Sequence, residues 1–285
     1  MANSLTSLYR DAYATFEVVS RVPLGILNSV TRDITADSAS KGTTVRNPVA
    51  PKNSKYTITP SMTPLAAADM VYTNRTITLD TLEGYKFHFT SEEQMGLKVS
   101  GSWMTLWQQN IAQGFRTLTD SVSTALLALY YNSARAIGTP GTAPFGSDLG
   151  LLSMANQELK RNGAPVGNRH VVLDHVSSYN LGKLTQLSNV NQSGSTTTLR
   201  TGDFDPLFGF TLHTDSNVPL HTVGTSTGQD VNNGAGYAIG STTIVYDGGD
   251  AGTILVGDTI APASDVSNLA GAASKYVVST AITAA

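Results

Sequence analysis

The sequence predicts a chain of the α+β class, built around one long amphipathic helix with strands, turns and extended loops before and after it. Apolar side chains recur at steps of three and four residues from Ser102 to Ile137, which is the spacing of one helical face. Shorter segments on both sides alternate polar and apolar residues, the period of strands. No constellation of residues typical of catalysis accompanies this pattern.

The long helix is predicted to end before Gly138, because glycine suits the position after a helix and Pro140 cannot continue one. At 1.5 Å per residue it is roughly 50 Å long, which is more typical of a structural beam than of an enzyme helix. We expect Trp103, Trp107 and Phe115 to pack on strands of the same chain. The full stripe expected in the core of this spine helix is Trp103, Trp107, Ile111, Phe115, Leu118, Val122, Leu126 and Leu129.

Residues 1–41 are predicted to form an N-terminal arm. Ser4 to Val19 has the pattern of an amphipathic helix, and Asp11 and Glu17 interrupt it in a way that argues against a signal peptide. This helix packs either on its own domain or on a neighbouring subunit. The candidate subunit contacts in the arm are Leu5, Leu8, Tyr9 and Phe16.

Residues 42–89 are predicted to form an extended loop with a β-hairpin. The segment is rich in threonine and proline, and two alternating stretches flank Glu83 and Gly84, which favours a turn there. A long segment with little core-forming material is typical of a projecting loop. Its candidate subunit contacts are Arg75, Ile77 and Leu79.

Residues 90–223 are predicted to contain the spine helix and an α/β core with a peripheral and an axial part. Thr90 followed by acids favours a short helix before Gly96. After the spine helix, the patterns predict a helix from Asp148 to Asn162, a buried strand at His170–Leu173, a helix from Val176 to Leu187 and a strand within 204–214.

Residues 224–285 are predicted to form a separate small β module of short strands and Gly/Asp turns. The expected strands are Ser241–Tyr246, Gly252–Val256, Asp258–Ile260 and Lys275–Ser279.

Composition narrows the function classes. Charged residues make up 14% of the 285 residues, against about 25% in an average soluble protein, and the net charge is -3. The sequence contains no basic tract, so it shows no sign of tight nucleic-acid binding. The chain has no cysteine, which excludes disulfides, and no apolar run long enough for a transmembrane helix. Charge is uneven, since eight aspartates but only Arg200 and Lys275 follow Thr185.

No motif predicts catalysis, a cofactor or a metal. His213, Asp215 and His221 lack a completing ligand, and Ser38 to Lys41 matches S-x-x-K in a loop where that chemistry needs a helix. The glycines from Gly234 to Gly240 precede a strand, so a phosphate would find no helix N-terminus there. We therefore predict no catalytic residue, no cofactor and no metal site.

The order of arm, proline-rich loop, long helix, α/β unit and β module resembles the major capsid proteins of tailed bacteriophages. Within that family it is similar to the short-tailed-phage coat proteins with an inserted β domain. The segments that carry the resemblance are 126–142, similar to the end of the family's spine helix, 162–173, similar to its helix-to-strand turn, 202–218 with 221–225, similar to the strand entering the insert, and 241–244 with 257–260, similar to strands of the insert.

The resemblance implies a structural protein, not an enzyme, that self-assembles as hexamers and pentamers into an icosahedral head around double-stranded DNA. It implies scaffolding and portal proteins as partners, non-specific contact with packaged DNA, no membrane, and a place in the virion after assembly in the host cytoplasm. The family's chain continues past the insert, so we expect either a chain truncated after residue 285 or a terminal variant of the module. The alternatives are the shell protein of a bacterial nanocompartment and a secreted β-rich adhesin or fibre protein.

Overall fold

The computed structural model describes residues 24–31, 41–50, 55, 57, 60, 73–99, 103–193, 197–228, 230–231, 233–238, 241–247, 252–262 and 274–283. The chain divides into two compact units, one of Met1–Val30 with Phe87–Ala285 and one of Thr31–Lys86. Helices and short strands are mixed along it, which confirms the coarse fold class expected from the sequence.

The smaller unit contains a two-stranded antiparallel ribbon. Strand β1 (Thr44–Val49) pairs with β2 (Thr73–Thr78), with Val45 opposite Ile77 and Pro48 opposite Asn74. The predicted hairpin about Glu83–Gly84 is wrong, because residues 79–90 form no strand and β2 pairs with the earlier segment. The later segment alternates polar and apolar residues, whereas β1 (Thr-Val-Arg-Asn-Pro-Val) does not, so the pattern favoured the wrong partner.

The larger unit contains the helices. They are α1 (Gly25–Ser29), α2 (Ser91–Val99), α3 (Trp103–Leu127), α4 (Gly150–Arg161), α5 (His175–Lys183), α6 (Thr185–Ser188), α7 (Val190–Ser193) and α8 (Thr197–Thr201). Helix α2 begins with the expected capping box, in which Glu93 N donates to Thr90 Oγ1 at 3.4 Å and Thr90 N donates to Glu93 Oε2 at 2.8 Å. It continues through Gly96 to Val99, past the predicted end.

The long helix is present but shorter than predicted. Helix α3 ends at Leu127, continues as a 3₁₀ helix over Ala128–Asn132, and is followed by strand β3 (Arg135–Ala136). Its 25 residues span about 37 Å at 1.5 Å per residue. The expected end at Ile137 is wrong, although the apolar spacing continues through Leu129: Tyr130 in the 3₁₀ helix contacts His221, and Arg135–Ala136 pair with a later strand.

The peripheral part of the larger unit is a small α/β unit. Strand β4 (Arg169–Leu173) runs parallel to β5 (Phe210–Thr214), in register from Arg169 opposite Phe210 to Leu173 opposite Thr214. The buried core contains Phe145, Leu152, Leu173, Leu181, Leu184, Leu187 and Phe210. The helix predicted for Val176–Leu187 is interrupted at Leu184, whose backbone is extended (ψ 125°) and whose side chain is buried in this core.

The C-terminal strands do not form a separate module. Strand β6 (Asp230–Val231) pairs with β7 (Tyr246–Asp247), and β8 (Thr253–Ile254) pairs with β11 (Ile282–Thr283). Strands β9 (Thr259–Ile260) and β10 (Lys275–Val277), however, form a three-stranded sheet with β3, in the order β3-β10-β9. The predicted boundary at residue 224 is therefore wrong for this part, because β10 pairs with a strand that follows the long helix.

Part of the predicted arm belongs to the larger unit, which includes Met1–Val30. Helix α1 contacts β4, β5 and α3, although residues 1–41 were all assigned to the arm. The amphipathic segment Ser4–Val19 lies outside the described residues.

Candidate subunit-contact surface and its anchoring

The ribbon of β1 and β2 has two faces of different character. Opposed residues share a face and neighbours along a strand alternate, so the register places positions Val45, Asn47, Val49, Thr73, Arg75 and Ile77 on one side, which therefore holds the valines and the isoleucine of both strands. We call this side the apolar face. The other side carries polar and charged residues and one proline: Thr44, Arg46, Pro48, Asn74, Thr76 and Thr78.

The apolar face is largely open to solvent within the described part of the chain. Ile77 is 59% exposed and Val49 45% exposed, whereas Val45 and Leu79 are half-buried. Leu79 continues the face by one step, because its N donates to Thr43 O at 3.0 Å and its O accepts from Gly42 N at 2.7 Å. The three contact candidates Arg75, Ile77 and Leu79 therefore lie on one face.

Sequence reasoning missed Val45 and Val49 as members of this face. Their signal was weak, since residues 43–49 read Thr-Thr-Val-Arg-Asn-Pro-Val, without regular alternation and with a proline inside the strand. The later segment Tyr85–Phe89 alternates more clearly and was taken as the partner of β2 instead.

A two-stranded ribbon is at best marginally stable in water unless an apolar side is covered. The apolar face is accordingly the candidate contact surface of the smaller unit.

The predicted stripe on the spine helix is only partly buried. Trp107 is half-buried and meets Phe87 edge to face, with ring centroids 5.7 Å apart at 80°, so its partner is a loop residue and not a strand. Ile111, Phe115, Leu118 and Leu126 are also half-buried.

Two residues of the stripe are exposed in the single chain, which contradicts their predicted place in the core. Val122 is 48% exposed and Leu129, which lies beyond α3, is 49% exposed. The fully buried positions of the helix include Ser123, which the stripe did not contain. The side chain of Trp103 lies outside the described set, as do Leu5, Leu8, Tyr9 and Phe16.

A buried carboxylate joins α1 to the spine helix. Asp215, at the end of β5, is 0% exposed and accepts hydrogen bonds from Ser123 Oγ at 3.1 Å, Ile26 N at 3.1 Å and Asn217 N at 2.9 Å. Its position beside the first turn of α1 supplies a distant cap for that short helix. The sequence analysis considered Asp215 only as a metal ligand. It missed the anchoring role because the partners Ile26 and Ser123 lie far from Asp215 along the chain.

A second polar contact joins the C-terminal strands to the end of the spine helix. Tyr130 Oη and His221 Nδ1 lie 2.7 Å apart, and His221 Nε2 lies 2.7 Å from Asp258 Oδ1. Asp258 also accepts from Leu255 N at 2.7 Å and Gly224 N at 3.2 Å. Burial raises the pKa of Asp258, but the hydrogen bonds from His221, Leu255 and Gly224 outweigh it, and the net pKa is lowered.

The remaining histidines do not assemble a metal site with acids. His170 Nδ1 and His213 Nε2 lie 3.0 Å apart on adjacent strands, and His170 Nε2 lies 3.0 Å from Asn168 Oδ1. Burial, and then the charge of His170, lower the pKa of His213. Among the described residues, no group of three or more His, Cys, Asp or Glu is placed to hold a metal ion. No described helix is both long and apolar enough to cross a bilayer.

Comparison with known proteins identifies solved structures that resemble this chain, but no matching family model or curated sequence. A chain in the solved structure of Mycobacterium phage Che8 is similar to it, with 16% identity, a TM-score of 0.53, and coverage of 90% of this chain and 86% of that chain. A chain in the capsid structure of the Cyanophage P-SCSP1u matches with 16% identity, a TM-score of 0.44, and coverage of 90% and 83%.

The likeness to the Che8 chain shows a shared fold over most of both chains. The resemblance to phage proteins found in the sequence is thereby confirmed at the level of the fold.

Proposed function

We propose that this chain is a structural protein of a phage head, a major capsid protein that self-assembles into the icosahedral shell around double-stranded DNA. The observation that carries the proposal is the fold shared with the Mycobacterium phage Che8 chain across 90% of this chain. The low charge content and the open apolar face of the ribbon support it, since both suit a surface that other copies cover. Catalysis is not part of the proposed role.

In this proposal the chain's main partner is itself, in hexamers and pentamers. The smaller unit reaches a neighbouring copy through the apolar face, and the segment Ser4–Val19 adds contacts through Leu5, Leu8, Tyr9 and Phe16. Scaffolding and portal proteins are further partners, and packaged DNA contacts the shell without sequence specificity. The location is the virion, after assembly in the host cytoplasm.

Particle formation tests the proposal directly. We expect the expressed chain to elute as large species in size-exclusion chromatography and to show shells or rings by negative-stain electron microscopy. Ile77→Asp places a charge in the middle of the apolar face, so we expect it to shift the chain to small species. Burying an unpaired carboxylate there disfavours association by several kcal/mol, on the order of a thousandfold in affinity.

Thr76→Asp is the matched control, because Thr76 neighbours Ile77 but belongs to the opposite face of the same strand. It should leave particles intact. A wild-type chain that stays monomeric, or a pair of variants with equal effects, would contradict the proposed role of the ribbon.

A further inference from the structure

Two histidines converge on the side of the β4–β5 pair that faces away from the buried core. Leu173 and Phe210 belong to the core on one side of this pair, and the register places His170 and His213 on the other. Nδ1 of His170 lies 3.0 Å from Nε2 of His213, and the rings stack with centroids 5.2 Å apart and an interplanar angle of 30°. The two residues are 43 positions apart, so sequence spacing gave no sign of this pair.

Neighbouring groups fix both side chains. The amide Oδ1 of Asn168 lies 3.0 Å from Nε2 of His170. An amide oxygen only accepts, so Nε2 carries the proton and Nδ1 of His170 keeps its lone pair, directed at His213. Helix α1 backs the base of the other side chain, because a Cβ at Gly25 would come 2.7 Å from the Cβ of His213. The pair is therefore oriented before any ligand arrives, as metal-binding histidines are.

The spacing of the two nitrogens suits two ligands of one metal ion. Imidazole nitrogens bind Zn²⁺ at about 2.0–2.1 Å, so two of them lie about 3 Å apart at a right angle and about 3.4 Å apart at the tetrahedral angle. The neutral ring is the form that binds, and burial, followed by the charge of His170, lowers the pKa of His213 and favours that form. Both side chains are half-buried, and the neighbouring Asn168 and Thr211 are exposed, so an ion reaches the pair from solvent.

We propose that His170 and His213 chelate one divalent transition-metal ion per chain, with water molecules at the remaining coordination positions. Imidazole ligands favour Cu²⁺, Ni²⁺ and Zn²⁺, whereas Mg²⁺ and Ca²⁺ prefer oxygen, and Cu²⁺ binds a given site most tightly. The ion takes the place of the proton between the two nitrogens, and the His213 ring stays neutral with its proton on Nδ1. Such a bridge joins β4 to β5 and stabilises the folded chain, because the ion binds the folded state preferentially.

Metal titration of the full chain tests the site, with protein that is made without a polyhistidine tag and stripped with a chelator. We expect calorimetry to show one Cu²⁺ or Zn²⁺ ion per chain and no binding of Mg²⁺. His170→Gln and His213→Gln should each weaken binding at least about tenfold, because the second ligand no longer reinforces the first. His175→Gln is the matched control, since it removes an exposed histidine that contacts Ser216 instead, and it should bind like the wild type.

Electron paramagnetic resonance of bound Cu²⁺ counts the nitrogen ligands, which a purely structural role of the pair would not change. We expect coupling to two nitrogens in the wild type and to one in His170→Gln or His213→Gln. Asn168→Gly removes the amide that orients His170 and tolerates the φ of 58° at this position. It should weaken binding about tenfold and leave both nitrogen couplings in place.

Chemical modification tests the wild-type chain itself and does not depend on the folding of any variant. Diethyl pyrocarbonate acylates accessible imidazole nitrogens, and mass spectrometry of peptides locates the product. Saturating Zn²⁺ should slow the modification of His170 and His213 at least about fivefold and leave that of His175 unchanged. It should also raise the melting temperature of the wild type by about 2–5 °C.

The outcomes decide the proposal. Binding that survives in both His170→Gln and His213→Gln, or failure of Zn²⁺ to protect the two histidines, overturns the site. Metal uptake that is equally weak in the wild type and all variants overturns it too, because it shows adventitious binding to surface groups only. None of these measurements requires shells to form, so their result is separate from that of the assembly experiment.

Discussion

At the scale of single residues, the main determinants are polar groups buried where distant segments meet. Asp215 has no exposed surface, yet three hydrogen-bond donors from α1, α3 and the loop after β5 satisfy its carboxylate. A buried acceptor of this kind stabilises the fold chiefly because removing it leaves its donors without partners. The junction of α1 with the spine helix therefore depends on one side chain.

We expect Asp215→Ala to lower the free energy of unfolding by about 3 kcal/mol, because two backbone N–H groups and the Ser123 hydroxyl lose their acceptor. Ser123→Ala removes one donor and leaves the carboxylate with its backbone partners. It should cost about 1 kcal/mol. Urea unfolding of both variants gives the comparison, and equal losses would show that Asp215 does not organise the junction.

At the scale of elements, the end of the long helix is set by what packs against it. Gly257 has a φ of 95° and lies so close to the 3₁₀ helix that a Cβ there would come 2.5 Å from Tyr130 Oη. The same tyrosine bonds His221, so the turn between β8 and β9 sits directly on the segment where the α-helix stops. The helix end and this turn are one packed contact.

We expect Gly257→Ala to destabilise the chain by about 2 kcal/mol or more, since it combines an unfavourable positive φ with a steric clash. Gly236→Ala is the matched control, because Gly236 has a φ of 76° but nothing within 4 Å of its Cβ position. It should cost about 1 kcal/mol. Thermal unfolding of the two variants measures the difference, and similar melting temperatures would rule out the clash.

The elements that the sequence predicted well are those specified by neighbouring residues. The capping box of α2 and the period of α4 act over a few positions, and strand β4 is a short apolar run, so each was visible locally. The predicted β2 strand was also found, but its partner β1 lies beyond a long connecting segment. Alternation identifies a strand and says nothing about which strand it pairs with.

The same limit explains the errors in the candidate site. Val122 and Leu129 fit the helical stripe, but the stripe carries no information about which turns of the helix the rest of the chain covers. Strand β10 joins β3 across more than a hundred residues, and two-residue strands leave almost no pattern to detect. Arg75, Ile77 and Leu79 lie on one face because alternation along β2 alone sets that face, and their role as subunit contacts stays a prediction.

At the scale of the whole molecule, acid should weaken the attachment of the C-terminal strands to the spine. The folded-state pKa of Asp258 lies below its ordinary value, because the hydrogen bonds from His221, Leu255 and Gly224 outweigh the effect of burial. A carboxyl group of this kind stabilises the fold fully above its unfolded-state pKa. That contribution disappears as the pH falls through the folded-state pKa.

We therefore expect the free energy of unfolding of the unassembled chain to fall below about pH 4, near the ordinary pKa of an aspartate. Asp258→Asn should lower stability at neutral pH and make the decline in acid shallower. Asp230→Asn changes an exposed aspartate on β6 and serves as the control. Urea titrations between about pH 7 and about pH 3 supply the measurement, and parallel curves for wild type and Asp258→Asn would contradict the assignment.

Pro48 affects how the edge of the ribbon behaves in a single, unassembled copy of the chain. Leu79 N donates to Thr43 O, and hydrogen-bonded pairs alternate along an antiparallel ribbon, so the Pro48–Asn74 pair falls on an unbonded position. The proline nitrogen therefore points to the outer edge of β1 and costs the ribbon no internal bond. A free copy thus presents an interrupted row of donors to other free copies, which discourages edge-to-edge stacking into fibrils. Under the proposed assembly, a copy with an exposed apolar face and an edge that pairs poorly would stay unassociated until the face meets the surface that covers it.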